Sequence, residues 1–221
     1  MVEHFRKVLE TAAKYEVSLV VHEPIKDTGL RRTFPNMMSR EGAKGQEFNG
    51  FMSSKDNNKP NHTTIIPFTR LLSSPMDYTP GIFNLVDYRY NSPEDRKINP
   101  NHRIPSTISK ELALYVVIYA PVQMAADLPI NYEGNPAFQF ILDVPTDWEE
   151  TKVLNGEIGE FITIARKDIN SDRWYIGSIT NEDGRSIEIE MNFLNDNATY
   201  KATIYKDLSL IHIWRCRREL K

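Results

Sequence analysis

The hydrophobic rhythm of this sequence changes near residue 149, and that change sets the fold class. Up to that point apolar residues recur at helical spacing or in short uninterrupted runs. Phe5, Val8, Leu9 and Ala12 line one face of MVEHFRKVLETAAKYE, and SLVVHEP follows as a short apolar run ending in charge. A helix feeding a buried strand is half of an α/β repeat. Parallel α/β architectures carry their functional groups where strands end, so His22 and Glu23 fall at a candidate site. Further along, Ile65, Ile66 and Phe68 read as a short strand or buried turn. Pro75, Pro80 and Gly81 punctuate a loop around Asp77, and residues 85–104 read as a surface connection. Ser106 or Thr107 can cap a helix with Lys110 and Glu111 in its first turns. Its apolar face is Leu112, Tyr115, Val116 and Tyr119, as in the outer helix of a barrel. NPAFQFILDV adds one more helix.

From about Thr151 the pattern turns to short β-rich runs, EFITIARK, RWYIGSIT, SIEIEMNF and TYKATIYK, separated by INSD, NEDG and LNDNA. Four strands joined by Asn, Asp and Gly turns make an antiparallel module. Ile187, Ile189 and Met191 alternating with Glu188 and Glu190 predict one buried and one wet face. The expected organisation is α/β over residues 1–148, an antiparallel β domain over 149–207, and a tail over 208–221.

The tail is set apart because LSLIHIWRCRR, Leu208 to Arg218, resembles the translation of a transposase mosaic-end sequencing adapter. It is expected to be an assembly artefact without fixed packing. The one cysteine, Cys216, lies in it, so disulfide and thiolate chemistry are excluded from the rest. The chain carries 27 Lys and Arg against 30 Asp and Glu, net −3, and setting the tail aside leaves the remainder more acidic still. Without a basic run this argues against nucleic acid as a partner. The longest apolar stretch, LALYVVIYAPVQMAA, is broken by Pro121 and falls short of the roughly 20 residues of a spanning helix, so no membrane span is expected. The N-terminus is amphipathic rather than a charged start followed by a uniform apolar core, so it does not read as a signal peptide.

Three glutamates concentrate the chemistry in HEPIKDTGLRRTFPNMMSREGAKGQE. Glu41 and Glu47 stand six residues apart with Gly42 and Gly45 between them, a spacing that lets the backbone turn tightly. They form either a shared functional site or a solvated loop. With Glu23 close by, crowded carboxylates require a compensating cation or a retained proton. An all-oxygen donor set favours calcium over zinc. Arg31 and Arg32 could clamp a carboxylate, though bracing Glu23 is the better reading, and Asp77 is a fourth candidate carboxylate for which a cap or turn role is the better reading. Trp148 and Trp174 could stack sugars, with Trp174 placed in the core. His62 and His102 show no metal-ligand spacing and receive no role.

Taken together, VVHEPIKDTGLRRTFPNMMSREGAKGQE, HTTIIPFTRLLSSPMDYTPGIFN, ELALYVVIYAPVQMAADLPINYE and FITIARKDINSDRWYIGSIT resemble the C-terminal half of glycoside hydrolase family 97. The resemblance covers residues 1–207. It implies the C-terminal part of a (β/α)8 barrel followed by an antiparallel β domain. It also implies a calcium-dependent hydrolase of α-glycosides, an α-glucosidase first and an α-galactosidase next, acting on α-linked oligosaccharides. Matched residue by residue, it makes Glu23 a calcium ligand and a base of the inverting branch, Glu41 a calcium ligand, Glu47 the general acid in touch with the metal, and His22 a substrate-binding residue. A periplasmic or secreted location goes with the family. The family's N-terminal sandwich, the upstream base or nucleophile and one further calcium ligand are expected to precede the equivalent of Met1, which reads as an internal methionine. The alternative is a non-catalytic carbohydrate-binding or interaction module built on the β domain.

Overall fold

A computed structural model of the chain describes residues 1–51, 58–86, 103–207 and, as backbone, 213–219. Most of the connection expected over 85–104, with His102, lies outside the described residues. Helix α1 (Val2–Lys14) leads into strand β1 (Leu19–Val21), and the short α2 (Leu30–Thr33) leads into β2 (Met37–Arg40). The two strands are parallel, with Leu19 opposite Met37 and Val21 opposite Arg40. Arg40 bridges Met76 in the same sense, and the Met76 N–H donates to Tyr119 O at 3.0 Å. Side-by-side parallel segments reached through helices are the α/β pattern, and their C-terminal ends therefore open on one side. Among the described residues this series stops short of a closed barrel. The apolar stripe of α1 is covered only in part, since Leu9 is buried while Val8 is 42% exposed.

The run around Ile65 is not a strand. Pro60 opens α4 (Pro60–Ile65), whose Thr63 and Thr64 hydroxyls bond back to the Pro60 and Asn61 carbonyls, and two 3-10 turns follow over Ile66–Phe68 and Arg70–Leu72. Proline fits the first helical turn because its missing N–H would be unpaired there anyway. A one-turn α3 (Phe48–Phe51) precedes it. Helix α5 (Ile108–Val117) starts as expected, with the Thr107 hydroxyl accepting from the Lys110 N–H at 3.1 Å. Leu112, Tyr115 and Val116 are buried, as are Leu114, Val117 and Glu111. A helix buried all round lies between two layers. Met76, Tyr78 and Ile66 join Leu114, Val117 and Ile118 in one cluster with Ile162, Ile164 and Ile179 of the following sheet.

That sheet is antiparallel in the order β3 (Trp148–Glu157), β4 (Phe161–Asp168), β5 (Trp174–Thr180). It approaches α5 so closely at Gly177 that a Cβ there would stand 2.7 Å from Ala113 O and 2.8 Å from Val116 Cβ. Arg166 of β4 reaches the last turn of α5, donating to Val116 O at 2.6 Å and Thr151 Oγ1 at 2.7 Å. Lys110 donates to Pro60 O and Thr180 O, and burial brings its ammonium down to about 8. Beyond these, α6 (Pro129–Tyr132) and α7 (Phe138–Asp143) pack Tyr132 and Phe138 ring on ring at 4.6 Å against Phe83 and Leu112.

The β region departs from expectation at three places. WEETKVLNGE forms β3, although its polar composition carries no strand signal; it is an edge strand whose Val153 is 63% exposed. SIEIEMNF is not a strand. Ile187 and Ile189 are half-buried and Glu188 and Glu190 exposed, so the alternation survives, but Met191 is exposed. The side-chain bond from Asn155 Nδ2 to Glu188 O supplies one contact where a ladder would need many. Finally, β6 (Lys201–Asp207) pairs antiparallel with β7 (Ile213–Glu219), so part of the tail expected to lack fixed packing lies in register with its neighbour. An open strand edge offers unpaired N–H and C=O groups to any extended chain, whatever its composition. No helix of the described residues is long and apolar enough to cross a membrane.

Glu111 fixes how these pieces meet. Its side chain is wholly buried, and its carboxylate accepts from Ser106 Oγ at 2.5 Å, Gln46 Nε2 at 3.1 Å, Gly81 N at 2.9 Å and Ile82 N at 3.3 Å. Burial pushes the carboxyl up against these donors, which hold it down. Glu111→Leu strands donors on three segments, and is expected to lower the unfolding free energy by about 3 kcal/mol or more in urea denaturation. A loss below about 1 kcal/mol would mean the segments hold without it.

Candidate active site

The ends of the parallel segments bring His22, Glu41 and Glu47 together. His22 follows β1 directly, Glu41 follows β2 directly, and the Glu41 N–H donates to Val21 O at 2.8 Å, so the first two are placed by the same pairing. The chain then turns at Gly42, whose φ of +67° lies in the left-handed region that glycine adopts freely. Glu47 returns on the far side of that loop. One donor atom from each of the three residues lies within 4.8 Å of the others.

Side chains from outside the loop hold its Glu41, Lys44 and Gly45 carbonyls. Arg70 donates to Arg40 O at 2.8 Å, Glu41 O at 2.9 Å, Ser74 O at 2.9 Å and Pro75 O at 3.1 Å. His62 Nε2 meets Lys44 O at 2.9 Å, and Asn58 Nδ2 donates to Gly45 O at 2.7 Å. The Gln46 N–H donates to Tyr78 O at 2.8 Å while its side chain reaches Glu111. The carboxylates thus sit on a loop tied to its surroundings through its main chain. Burial brings the Arg70 guanidinium down to about 10, with the neighbouring Arg40 adding to the effect.

Charge is crowded here. Glu41 is 7% exposed, and its Oε1 is buried with no hydrogen-bond partner. Burial first, then the Glu47 carboxylate and a hydrogen bond with it, push the Glu41 carboxyl up, against His22 and the Glu23 N–H. His22 Nδ1 stands 3.7 Å from Glu47 Oε1 and 3.9 Å from Glu41 Oε2. Its Nε2 meets Asp77 Oδ2 at 2.7 Å, and that bond, followed by the nearby carboxylates, raises the imidazole above its ordinary range, against burial. Two abutting carboxyls and an orphaned buried oxygen fit a hard divalent cation, which would take up the unpaired oxygen and offset the repulsion.

Glu23 stands apart from this group. It is exposed, its backbone adopts φ 42°, and its N–H rather than its carboxylate meets Glu41. Arg31 does not brace it; the guanidinium bonds Asp27 Oδ2 at 3.0 Å and Ser73 O at 3.0 Å, because Asp27 is one helical turn away. Asp77 is no turn residue either. It is 4% exposed at the end of the segment bridged to β2. No run of β-formers announces that segment in PMDYTPG, so its carboxylate reads as loop. Trp174 is half-buried against Phe193, ring centroids 4.7 Å apart.

Residues 1–43 match the family model Glycoside hydrolase 97, and residues 147–215 match Glycosyl-hydrolase 97 C-terminal, oligomerisation. The chain is 38% identical over 203 residues to the retaining alpha-galactosidase of Bacteroides thetaiotaomicron, covering 91% of this chain and 29% of that protein. It superposes on a glycoside hydrolase family 97 enzyme from Pseudoalteromonas sp. strain K8 in complex with panose, with a TM-score of 0.86 and 44% identity. That match covers 100% of this chain and 34% of the enzyme. The same enzyme in complex with acarbose gives the same values. The chain therefore spans about a third of the length of the relatives it matches.

Gly42 offers a test of the loop. A Cβ there would stand 2.9 Å from Arg70 Nε, in a guanidinium held by its own hydrogen bonds, and would also sit on a left-handed backbone. Gly42→Ala is expected to destabilise by about 1–3 kcal/mol in thermal unfolding. A Tm unchanged from the parent would show that the turn relaxes freely.

Proposed function

Since this chain belongs to glycoside hydrolase family 97, we propose that it carries the general acid and the cation-binding carboxylates of a calcium-dependent α-glycosidase. The observation that carries the reading is the meeting of Glu41, Glu47 and His22 at the ends of parallel segments, with Glu41 Oε1 buried and unpartnered. Glu41 and Glu47 would hold the calcium, with Glu23 the third ligand proposed. Bound there, the cation supplies positive charge that offsets the crowded carboxylates. The non-catalytic module is not favoured, because the carboxylate cluster stands at the ends of β1 and β2 and not on the β domain such a module would use.

The chemical step falls to Glu47. A glycosidic oxygen is a poor leaving group until protonated, and Glu47 is the half-exposed member of the pair, open to a substrate where Glu41 is closed off. In the proposed reaction Glu47 gives its proton to the departing oxygen while the C–O bond to the anomeric carbon breaks. A carboxylate on the opposite face either activates water or attacks that carbon, giving inversion or retention. Glu23 is the base we propose for the inverting course. His22 binds a sugar hydroxyl, and the substrate is an α-linked oligosaccharide. We take α-glucosides as the preferred class, supported by the 44% identity to the enzyme held with panose and acarbose. The 38% identity to a retaining alpha-galactosidase supports α-galactosides as the second reading. A periplasmic or secreted location belongs to the same proposal.

Both roles can be tested in a chimera in which residues 1–207 replace the matching third of the Pseudoalteromonas enzyme. Glu41→Gln is expected to weaken calcium binding at least tenfold by calorimetry and to lower activity, with partial rescue by added calcium. Unchanged affinity would remove Glu41 from the site.

Glu47→Gln is expected to lower turnover of an alkyl α-glycoside by about 100-fold or more, while an aryl glycoside with an acidic phenol, which needs little protonation, loses far less. Equal losses on the two substrates would assign Glu47 a metal-holding role and send the search for the acid elsewhere. Comparing aryl α-glucoside with aryl α-galactoside in the same chimera decides between the two substrate readings.

A further inference from the structure

The contact between Asp77 and His22 links two segments that β2 separates. His22 follows β1, Asp77 follows Met76, and β2 lies between them, pairing with β1 on one side and bridging Met76 on the other. The Asp77 N–H donates to Arg40 O at 3.1 Å, which seats its backbone on β2, while its Oδ2 reaches His22 Nε2 at 2.7 Å. At 4% exposed it is buried more deeply than the imidazole it holds, whose side chain is 35% exposed. A carboxylate oxygen is the natural acceptor of a ring N–H, so the short bond points to the hydrogen on Nε2. The other ring nitrogen then faces Glu47 and Glu41 at 3.7 and 3.9 Å, beyond hydrogen-bond length. At those lengths neither carboxylate is hydrogen-bonded to Nδ1, and the ring, a third exposed, can be reached by a substrate group from its open side.

We propose that Asp77 is a positioning residue of this site: it fixes the ring plane and the Nε2–H tautomer of His22, so that Nδ1 is presented to the carboxylate pair as an acceptor for a substrate hydroxyl. The second half of this statement rests on the glycosidase reading, while the tautomer lock does not. Calcium prefers oxygen ligands, so a nitrogen facing the pair serves the substrate rather than the ion. Carboxylates that hold a histidine from behind are a recurrent way of setting which nitrogen is free. A substrate hydroxyl donating to Nδ1 needs that lone pair, and a ring free to flip or to shift its proton offers it only part of the time.

The test is the nitrogen NMR spectrum of the full chain with 15N-labelled histidine, the His22 signals assigned by their absence in His22→Gln. The expected result is a protonated Nε2 whose hydrogen exchanges slowly with water, and an exchange at least tenfold faster in Asp77→Asn, whose amide can present either oxygen or NH2 to the ring. A wild-type spectrum with Nε2 unprotonated, or an exchange rate untouched by Asp77→Asn, would overturn the proposal. Should Asp77→Asn fail to fold, the wild-type spectrum decides alone, since only a held ring protects that hydrogen. A merely structural role for Asp77 would not move the tautomer of a ring on another segment. No turnover is needed, so a glycosidase reading that fails leaves this result standing, and a failed lock leaves Glu47 and Glu41 untouched.

Discussion

A carboxylate with no access to water organises this chain. Glu111 is wholly buried, and a carboxyl group there is tolerable only because donors from separate segments converge on it. Ser106 stands just before α5, Gly81 and Ile82 follow the Asp77 segment, and Gln46 precedes Glu47 in the candidate site. Removing any one of these segments leaves buried hydrogen-bonding groups unpaired, so Glu111 ties the site loop, the turn beyond Asp77 and the start of α5 together. Asp127 repeats the device next door. It accepts from the Phe83 and Asn84 backbone at 2.8 and 2.7 Å and ties the far end of the same turn to α6.

The same logic explains why the acidic cluster can exist without collapsing. Like charges push apart, and an exposed loop would simply open to relieve them. Here Arg70, His62 and Asn58 hold the loop by its carbonyls, so the side chains stay crowded while the backbone cannot move. Arg70 serves the site without facing it. Its guanidinium bonds main-chain and serine oxygens, which leaves the Glu41 and Glu47 side chains without an arginine partner among the described residues and open to a cation. Had Arg31 or Arg70 paired with Glu41 directly, the carboxylate would be satisfied and the site closed.

What could be read from the sequence follows the range of each interaction. His22, Glu41 and Glu47 were legible because the signals are local: an apolar run ending in charge, and two glutamates separated by glycines. Thr107 as a cap and the buried face of α5 were legible for the same reason. Asp77 and Glu111 were not, since Asp77 acquires its role from a histidine 55 residues away and Glu111 from Gln46, 65 residues away. No window short enough to show periodicity contains either partnership. Strand β3 was hidden because an exposed edge needs no apolar alternation, whereas SIEIEMNF has the alternation but not the paired neighbour that would make it a strand. Local pattern states what a segment can become; pairing decides whether it does.

The antiparallel sheet bears on the candidate site through α5. Ile162, Ile164 and Ile179 bury one side of that helix, Gly177 lets it come close, and Arg166 takes up the Val116 carbonyl at its last turn. Its other side presents Glu111 to Gln46 and the Gly81 turn. Packing density makes such a helix stiff, since a shift of even a methylene's width opens voids on one side and clashes on the other. The position of Gln46, and with it that of Glu47 one residue on, is therefore coupled through α5 and Glu111 to the sheet, which backs the candidate site.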